Sequence, residues 1–273
     1  VSIWRRHRIN TCYYIFYGIR LNIILSEVKM KKFGLIGFPL GHSFSKNFFK
    51  EKFIRERHSE TTYENYEINS LGELKDILTN NPDLRGFNVT IPYKEEIISL
   101  LDDIDSTAKK IGSVNTVKIS DGKLIGYNTD YLGFRESIIS WLPNTNISAL
   151  VLGSGGSSKA IKYVLDDLEI SYKVISRDSR DMKISYKELK NLSMVSTSKL
   201  IINTTPLGMS PNIDGFPDID YNLINNKHFV FDLVYNPNKT KFLSLCEERG
   251  ANIKNGYEML VGQAEEAWKI WNK

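Results

Sequence analysis

SALVLGSGGSSKAIKYVLDDLEISYKVIS (residues 148–176) decides the fold. Residues 148–152 form a short, mostly apolar run that reads as a buried strand. The turn GSGGSS (153–158) follows, then helical spacing over 158–167 and a second strand-like run over 172–176. Strand, glycine turn, helix and strand in that order make a nucleotide-binding unit. Gly153, Gly155 and Gly156 allow a tight turn and let backbone N–H groups approach a pyrophosphate, while the helix N-terminus favours its negative charge. Ser154 and Ser157 lie in the same turn. Ser158 stands where the commonest form of the motif has a third glycine or an alanine, so the match is partial. The plainer alternative is a structural tight turn.

The alternation continues outward in both directions. Upstream, FGLIGF (33–38) reads as a strand, and Phe48, Phe49 and Phe53 give helical spacing over 45–58. TTYENYEI (61–68) alternates like a strand, and Ser70 with Glu73 forms a capping box. Residues 84–89 are the next strand, with Pro92 suited to a first helical turn. Strands over 114–119 and 123–127 flank Asp121-Gly122, a hairpin turn. An amphipathic helix over 131–141 leads to the glycine unit. Downstream come strands over 200–203 and 228–232, a helix over 241–249 stopped by Gly250, and a last helix over 257–271. The expected class is α/β, with mainly parallel sheets and helices on both faces. The 273 residues suffice for two domains.

Hydrophobic content of 41% and charged content of 25% suit a soluble globular protein. The net charge of +4 is spread along the chain, which argues against a nucleic-acid surface. Cys12 and Cys246 form neither a disulfide scaffold nor a zinc motif and fit a reducing cytoplasm. Residues 1–29 are basic at Arg5, Arg6 and Arg8, then rich in Tyr, Ile and Phe. Arg20 leaves their apolar stretch short of the roughly 20 residues a spanning helix needs, and no cleavage site follows. We expect Met30 to be the native start and residues 1–29 to be upstream sequence read in frame. The alternative is an extra strand or helix on the first domain. Neither a membrane nor a nucleic acid is an expected partner.

Ser176 lies 23 residues beyond Gly153, near the roughly 20-residue interval of the ribose-reading position. An NAD site usually has a carboxylate there. Ser176 followed by Arg177 can instead receive a 2′-phosphate, which favours NADP; Asp178 and Asp181 nearby oppose it. Arg177 can also be read as a solvated turn residue. On the substrate side, GHSFS (41–45) puts Ser43 and Ser45 at a helix N-terminus, where they could bind a carboxylate, although Ser45 could simply cap the helix. Asn88 and Thr90 alternate at a strand end and can face one cleft. Asn115 and Thr116 repeat that chemistry. Lys94, directly after NVTIPY, and Asp130, in NTD (128–130), form the candidate reactive pair. A shielded lysine balanced by an aspartate can protonate or stabilise an alkoxide formed by hydride transfer. A dehydrogenase acting on a small polar substrate follows. No metal site is expected.

Together these segments resemble shikimate dehydrogenases. LGHSFSK, NVTIPYKEE, GSVNTV, GYNTDYLGF, GSGGSSKA, NTTPLGM, DLVYNP and GYEMLVGQAEEAW occur in the family's order from about Met30 to near the C-terminus. The resemblance implies two α/β domains around a deep cleft: 30–129 plus 256–273 for substrate and a Rossmann-like domain, 130–255, for NADP. It implies reversible reduction of 3-dehydroshikimate to shikimate by NADPH, in the cytoplasm, by a monomer or homodimer. Ser43 and Ser45 would hold the substrate carboxylate. Thr90, Asn115, Asp130 and Gln263 would bond its hydroxyls, and Asn88 would shape the pocket. Lys94 would be the catalytic lysine and Asp130 its partner, with Tyr235 at the cleft mouth. Gly153, Gly155, Gly156 and Ser157 would cradle the pyrophosphate, and Ser176 and Arg177 would form the 2′-phosphate loop. Asn203, Thr204 and Thr205 would lie along the cofactor, with Gly256 and Met259 near the nicotinamide. The family usually has asparagine at the position of Ser176 and often a basic residue at that of Asp181. Two alternatives share many of these features: an NAD-preferring quinate/shikimate dehydrogenase and a non-catalytic sensor of pathway metabolites.

Overall fold

A computed structural model of the chain describes residues 30–41, 44–177, 184–190 and 193–273. The expectations made for residues 1–29, Ser43, Asp178 and Asp181 lie outside the described residues. The described residues form two six-stranded sheets.

The first sheet is formed by β1 (Lys31–Gly37), β2 (Thr61–Glu67), β3 (Leu84–Val89), β4 (Asp103–Ile104), β5 (Thr116–Ser120) and β6 (Lys123–Tyr127), in the order β2-β1-β3-β5-β6-β4. Its helices are α1 (Phe44–Arg55), α2 (Leu74–Asn80) and α3 (Ser106–Ile111). β1 runs parallel to β2 and β3, and β5 is antiparallel to β3 and β6. Asp121 and Gly122 both take positive φ, 51° and 77°, as a two-residue turn matched to the strand twist requires.

Helix α4 (Asp130–Ile139) leads to the second sheet: β7 (Ser148–Leu152), α5 (Gly156–Asp167), β8 (Ser171–Ser176), β9 (Ile184–Ser185), α6 (Tyr186–Lys190), α7 (Met194–Thr197), β10 (Leu200–Asn203), β11 (Phe229–Asp232), α8 (Lys241–Glu247) and β12 (Asn252–Asn255). The order is β12-β11-β10-β7-β8-β9, and every pairing is parallel. The central strands are covered on both faces, which explains their near-continuous apolar runs. Leu150, Leu152, Ile201 and Val230 face one core with Phe242. Ala149, Val151, Leu200, Ile202 and Phe231 face the other with Phe134, Ile161 and Val164.

The last helix, α9 (Tyr257–Trp271), joins the two halves. Met259 belongs to the core under the second sheet, whereas Ala264, Ala267 and Trp271 pack with Phe33, Leu35 and Phe49 under the first. Trp271 stacks on Phe33 at 4.7 Å, and its indole N–H donates to the Val117 carbonyl at 2.9 Å. Lys52, buried on α1, donates to Glu265 of α9 at 2.7 Å and to Glu56 at 2.8 Å. Among the described residues, no helix is long and apolar enough to cross a membrane.

The segment after Pro92 differs from a regular helical turn. Successive turns run into a 3₁₀ helix, Glu96–Leu100. The Lys94 carbonyl, which an α-helix would use four residues on, accepts the Val114 N–H instead, at 2.8 Å. β4, β9 and β12, of 2, 2 and 4 residues, are too short to show an apolar alternation; they were not expected from the sequence.

Asp232, fully buried at the end of β11, accepts hydrogen bonds from Asn203 Nδ2 (2.9 Å), the Val234 N–H (3.0 Å) and Thr240 Oγ1 (2.6 Å). Burial outweighs these bonds and pushes its carboxyl up to about 6. A raised carboxyl binds its proton more tightly in the folded state. Its contribution to stability is therefore complete below about pH 4 and is lost as the pH rises to about 6. From pH 4 to pH 7 the wild type should lose roughly 3 kcal/mol relative to Asp232→Asn, measured by urea unfolding; a pH-independent difference would refute this. Trp271→Ala should cost about 3–5 kcal/mol, read as a lower denaturation midpoint at unchanged slope.

Candidate active site

Asp130 is the first residue of α4, so its carboxylate lies where the helix dipole favours negative charge. Its Oδ2 accepts from Lys94 Nζ at 2.7 Å, and the two side chains are only 12% and 7% exposed. Its Oδ1 accepts from Asn115 Nδ2 at 2.9 Å. Lys94 Nζ also lies 3.4 Å from Ser157 Oγ in the glycine turn. The expected pair thus forms, shielded and directed at the nucleotide-binding unit.

Asn115 gathers the rest. Its amide nitrogen is within 3.0 Å of Thr129 Oγ1 and 3.2 Å of Gln263 Oε1, besides Asp130. Its Oδ1 accepts the Thr129 N–H at 2.7 Å. An amide NH₂ carries two hydrogens, whereas three acceptor oxygens face this one. Thr129 Oγ1 can also donate, to Asn115 Oδ1 at 3.2 Å or Gln263 Oε1 at 3.5 Å, so several oxygens compete for few hydrogens and hydroxyl groups of a ligand can complete the cluster. Below it, Asn88 donates to Thr116 Oγ1 at 3.0 Å and accepts from the buried Tyr63 hydroxyl at 2.8 Å. Burial pushes the Tyr63 hydroxyl far above its ordinary range, keeping it a neutral donor. Ser45, buried in the first turn of α1, partly offsets the effect of burial on the Tyr63 hydroxyl. Thr90 is half-buried just beyond β3.

Gln263 reaches Asn115 because α4 and α9 touch backbone to backbone. A Cβ on Gly133 would collide with the Met259 carbonyl and press on Gln263 N, the latter at 2.8 Å. Glycine inside a helix costs about 1 kcal/mol relative to alanine, and that unfavourable choice is the sequence signal that could have revealed Gly133. Tyr63 had no comparable signal, since its role depends on β2 lying two strands from β3.

Gly153, with φ at +111°, holds the start of the turn against Thr204 and Thr205. Asn203 Oδ1 accepts from Thr205 Oγ1 at 2.6 Å and from its N–H at 3.0 Å, while Thr204 Oγ1 donates to the Leu152 carbonyl at 2.8 Å. Ser154 and Ser176 hydroxyls meet at 3.0 Å, linking the turn to the end of β8. Arg177 follows, exposed. A Cβ on Gly155 would meet nothing within 4 Å. The open glycine, the N-terminus of α5 and an exposed arginine at the end of β8 fit a phosphate-bearing dinucleotide.

Tyr235 packs edge-on against Phe44 at 5.5 Å. Both line a cavity of about 590 Å³, together with Asn47, Asn65 and Tyr257. Lys94 and Asp130 are not among its walls. Gly256 is pressed against the Leu233 backbone, and the Met259 side chain is taken up by the core. Among the described residues no group of three or more His, Cys, Asp or Glu could hold a metal ion.

The family model for the shikimate dehydrogenase substrate binding domain matches residues 35–117, the span that contains Asn88, Lys94 and Asn115. The shikimate dehydrogenase (NADP(+)) of Clostridium beijerinckii is 38% identical over 259 residues, covering 89% of this chain and 93% of that protein. Its counterpart in Aquifex aeolicus is 40% identical over 250 residues, covering 88% and 90%. A crystal structure of shikimate 5-dehydrogenase from Thermus thermophilus, in complex with NADP(H) and shikimate, is 28% identical with a TM-score of 0.78, over 89% of this chain and 93% of that one. With such identity over nearly the full length of its relatives, the chain belongs to the shikimate dehydrogenase family.

Proposed function

We propose that the protein catalyses the reversible, NADPH-dependent reduction of 3-dehydroshikimate to shikimate, as a cytoplasmic biosynthetic enzyme. The observation that carries this reading is the shielded Lys94–Asp130 pair, bonded at 2.7 Å and facing the glycine turn. Residues 30–129 with 256–273 bind the substrate, and residues 130–255 bind the cofactor. When bound, NADPH supplies the hydride.

Asp130, Asn115 and Gln263 orient the substrate hydroxyls through the acceptor-rich cluster, and Thr90 contributes from the end of β3. Ser45 with Ser43 receives the carboxylate near the N-terminus of α1, and Tyr235 borders the cleft mouth. Asp130 keeps the Lys94 amino group aimed into the cleft. As the C3 carbonyl becomes an alkoxide, Lys94 donates a proton to that oxygen; in the reverse direction it takes the proton back. Asp130 remains as the fixed counter-charge, so little reorganisation accompanies the change. Gly155 and the first N–H groups of α5 hold the pyrophosphate, and Arg177 meets the 2′-phosphate.

Lys94→Ala should lower kcat by roughly 10²–10⁴-fold with little change in the KM for shikimate, in an assay at the reduced-nicotinamide absorbance band. An unchanged kcat would remove Lys94 from the chemistry. Arg177→Gln should lower kcat/KM for NADP by about 10–100-fold, the equivalent of one charge-assisted hydrogen bond, while leaving the value for NAD nearly unchanged. Equal losses with both cofactors would show that Arg177 does not read the 2′-phosphate.

A further inference from the structure

The three glycines of the turn have different neighbours. A side chain on Gly153 would strike Thr204 Oγ1 at 2.6 Å, and one on Gly155 would meet nothing within 4 Å. A Cβ on Gly156, the first residue of α5, would lie 3.1 Å from Lys94 Cβ and 3.2 Å from Ser113 Oγ. Gly155 therefore leaves room for something outside the protein, whereas Gly156 leaves room for the stem of Lys94.

Other contacts tie the same helical turn to the Lys94 segment. Ser157 Oγ lies 3.4 Å from Lys94 Nζ. Lys159, one turn on from Gly156, donates to Glu95 Oε2 at 2.6 Å and to the Gly112 carbonyl at 3.1 Å. Ser113 is completely buried, and among the described residues its hydroxyl has no hydrogen-bond partner. It fills the corner between Lys94 and Gly156 as a packing atom. The lysine stem thus rests on the start of α5, and the height of its amino group above the cleft depends on how closely that helix approaches.

We propose that Gly156 is a positioning residue for Lys94, and that the pyrophosphate is admitted by Gly155. The inference rests on the reading of Lys94 as the proton donor. An added Cβ at Gly156 would push the lysine by a few tenths of an ångström. Small misplacements of a reacting group are costly in rate while leaving binding largely intact.

The test compares Gly155→Ala with Gly156→Ala. Alanine is the better helix former at the start of α5, so Gly156→Ala should fold. Gly155→Ala should weaken NADPH roughly tenfold in direct titration by nicotinamide fluorescence. Gly156→Ala should leave that affinity within about twofold and lower kcat roughly tenfold. Ser113→Ala in the Gly156→Ala background should recover part of the lost kcat, because it empties the crowded corner. Weakened NADPH binding by Gly156→Ala equal to that of Gly155→Ala would overturn the inference, as would a wild-type kcat. The titration needs no turnover. Absence of shikimate turnover by the wild type would therefore overturn the functional reading, while NADPH affinity would still rank the two glycines.

Discussion

The buried amide of Asn115 is the constraint on which the site depends. A buried amide must find partners on all sides or pay its desolvation in full, at about 1–3 kcal/mol for each group left unmade. Asn115 finds them where the residues that follow β6 meet the start of α4, with Gln263 of α9 as a third acceptor beside them. The convergence places Asp130 next to Lys94 and brings Gln263 from the far end of the chain. A polar network of this kind is demanding: fully bonded it selects one arrangement, and half bonded it would be worse than an apolar core.

Two helices turn that local requirement into an arrangement of the whole molecule. α4 begins at Asp130, and its buried face, Phe134 and Ile138, packs under the second sheet. α9 enters that same core at Met259 and finishes in the other core at Trp271. Gly133 lets the two helix backbones touch, which brings Gln263 of α9 beside the start of α4. The cleft can then be lined by loops and strand ends while its floor is held by packed helices.

The division of charge follows the same logic. Lys94 and Asp130 are paired and nearly closed off from solvent, whereas Lys159 and Glu95 are paired at the rim, 31% and 44% exposed. Exposed ion pairs contribute about 0–1 kcal/mol, so the rim pair matters for alignment more than for stability. The shielded pair lies in a medium where fixed charges act more strongly on their surroundings than they would in water.

Much of the fold was legible in the sequence because its signals are local. The strand from Leu84 to Val89, the Asp121-Gly122 turn and the helix from Tyr257 to Trp271 follow from alternation, turn chemistry and helical spacing. The glycine turn could be placed after its strand for the same reason. The candidate pair Lys94 and Asp130 was named from the segments that carry it, NVTIPYK and NTD, and the structure joins the two side chains at 2.7 Å. Other pairings were not legible. Nothing in the sequence places Tyr63 beneath Asn88, Asp232 beneath Asn203 or Lys94 on Gly156, because each contact joins residues distant in the chain through sheet order and helix packing. The elements and their chemistry were set by the sequence alone. Which elements meet, and at what separation, was decided by the requirement that buried polar groups be bonded and apolar faces covered at the same time.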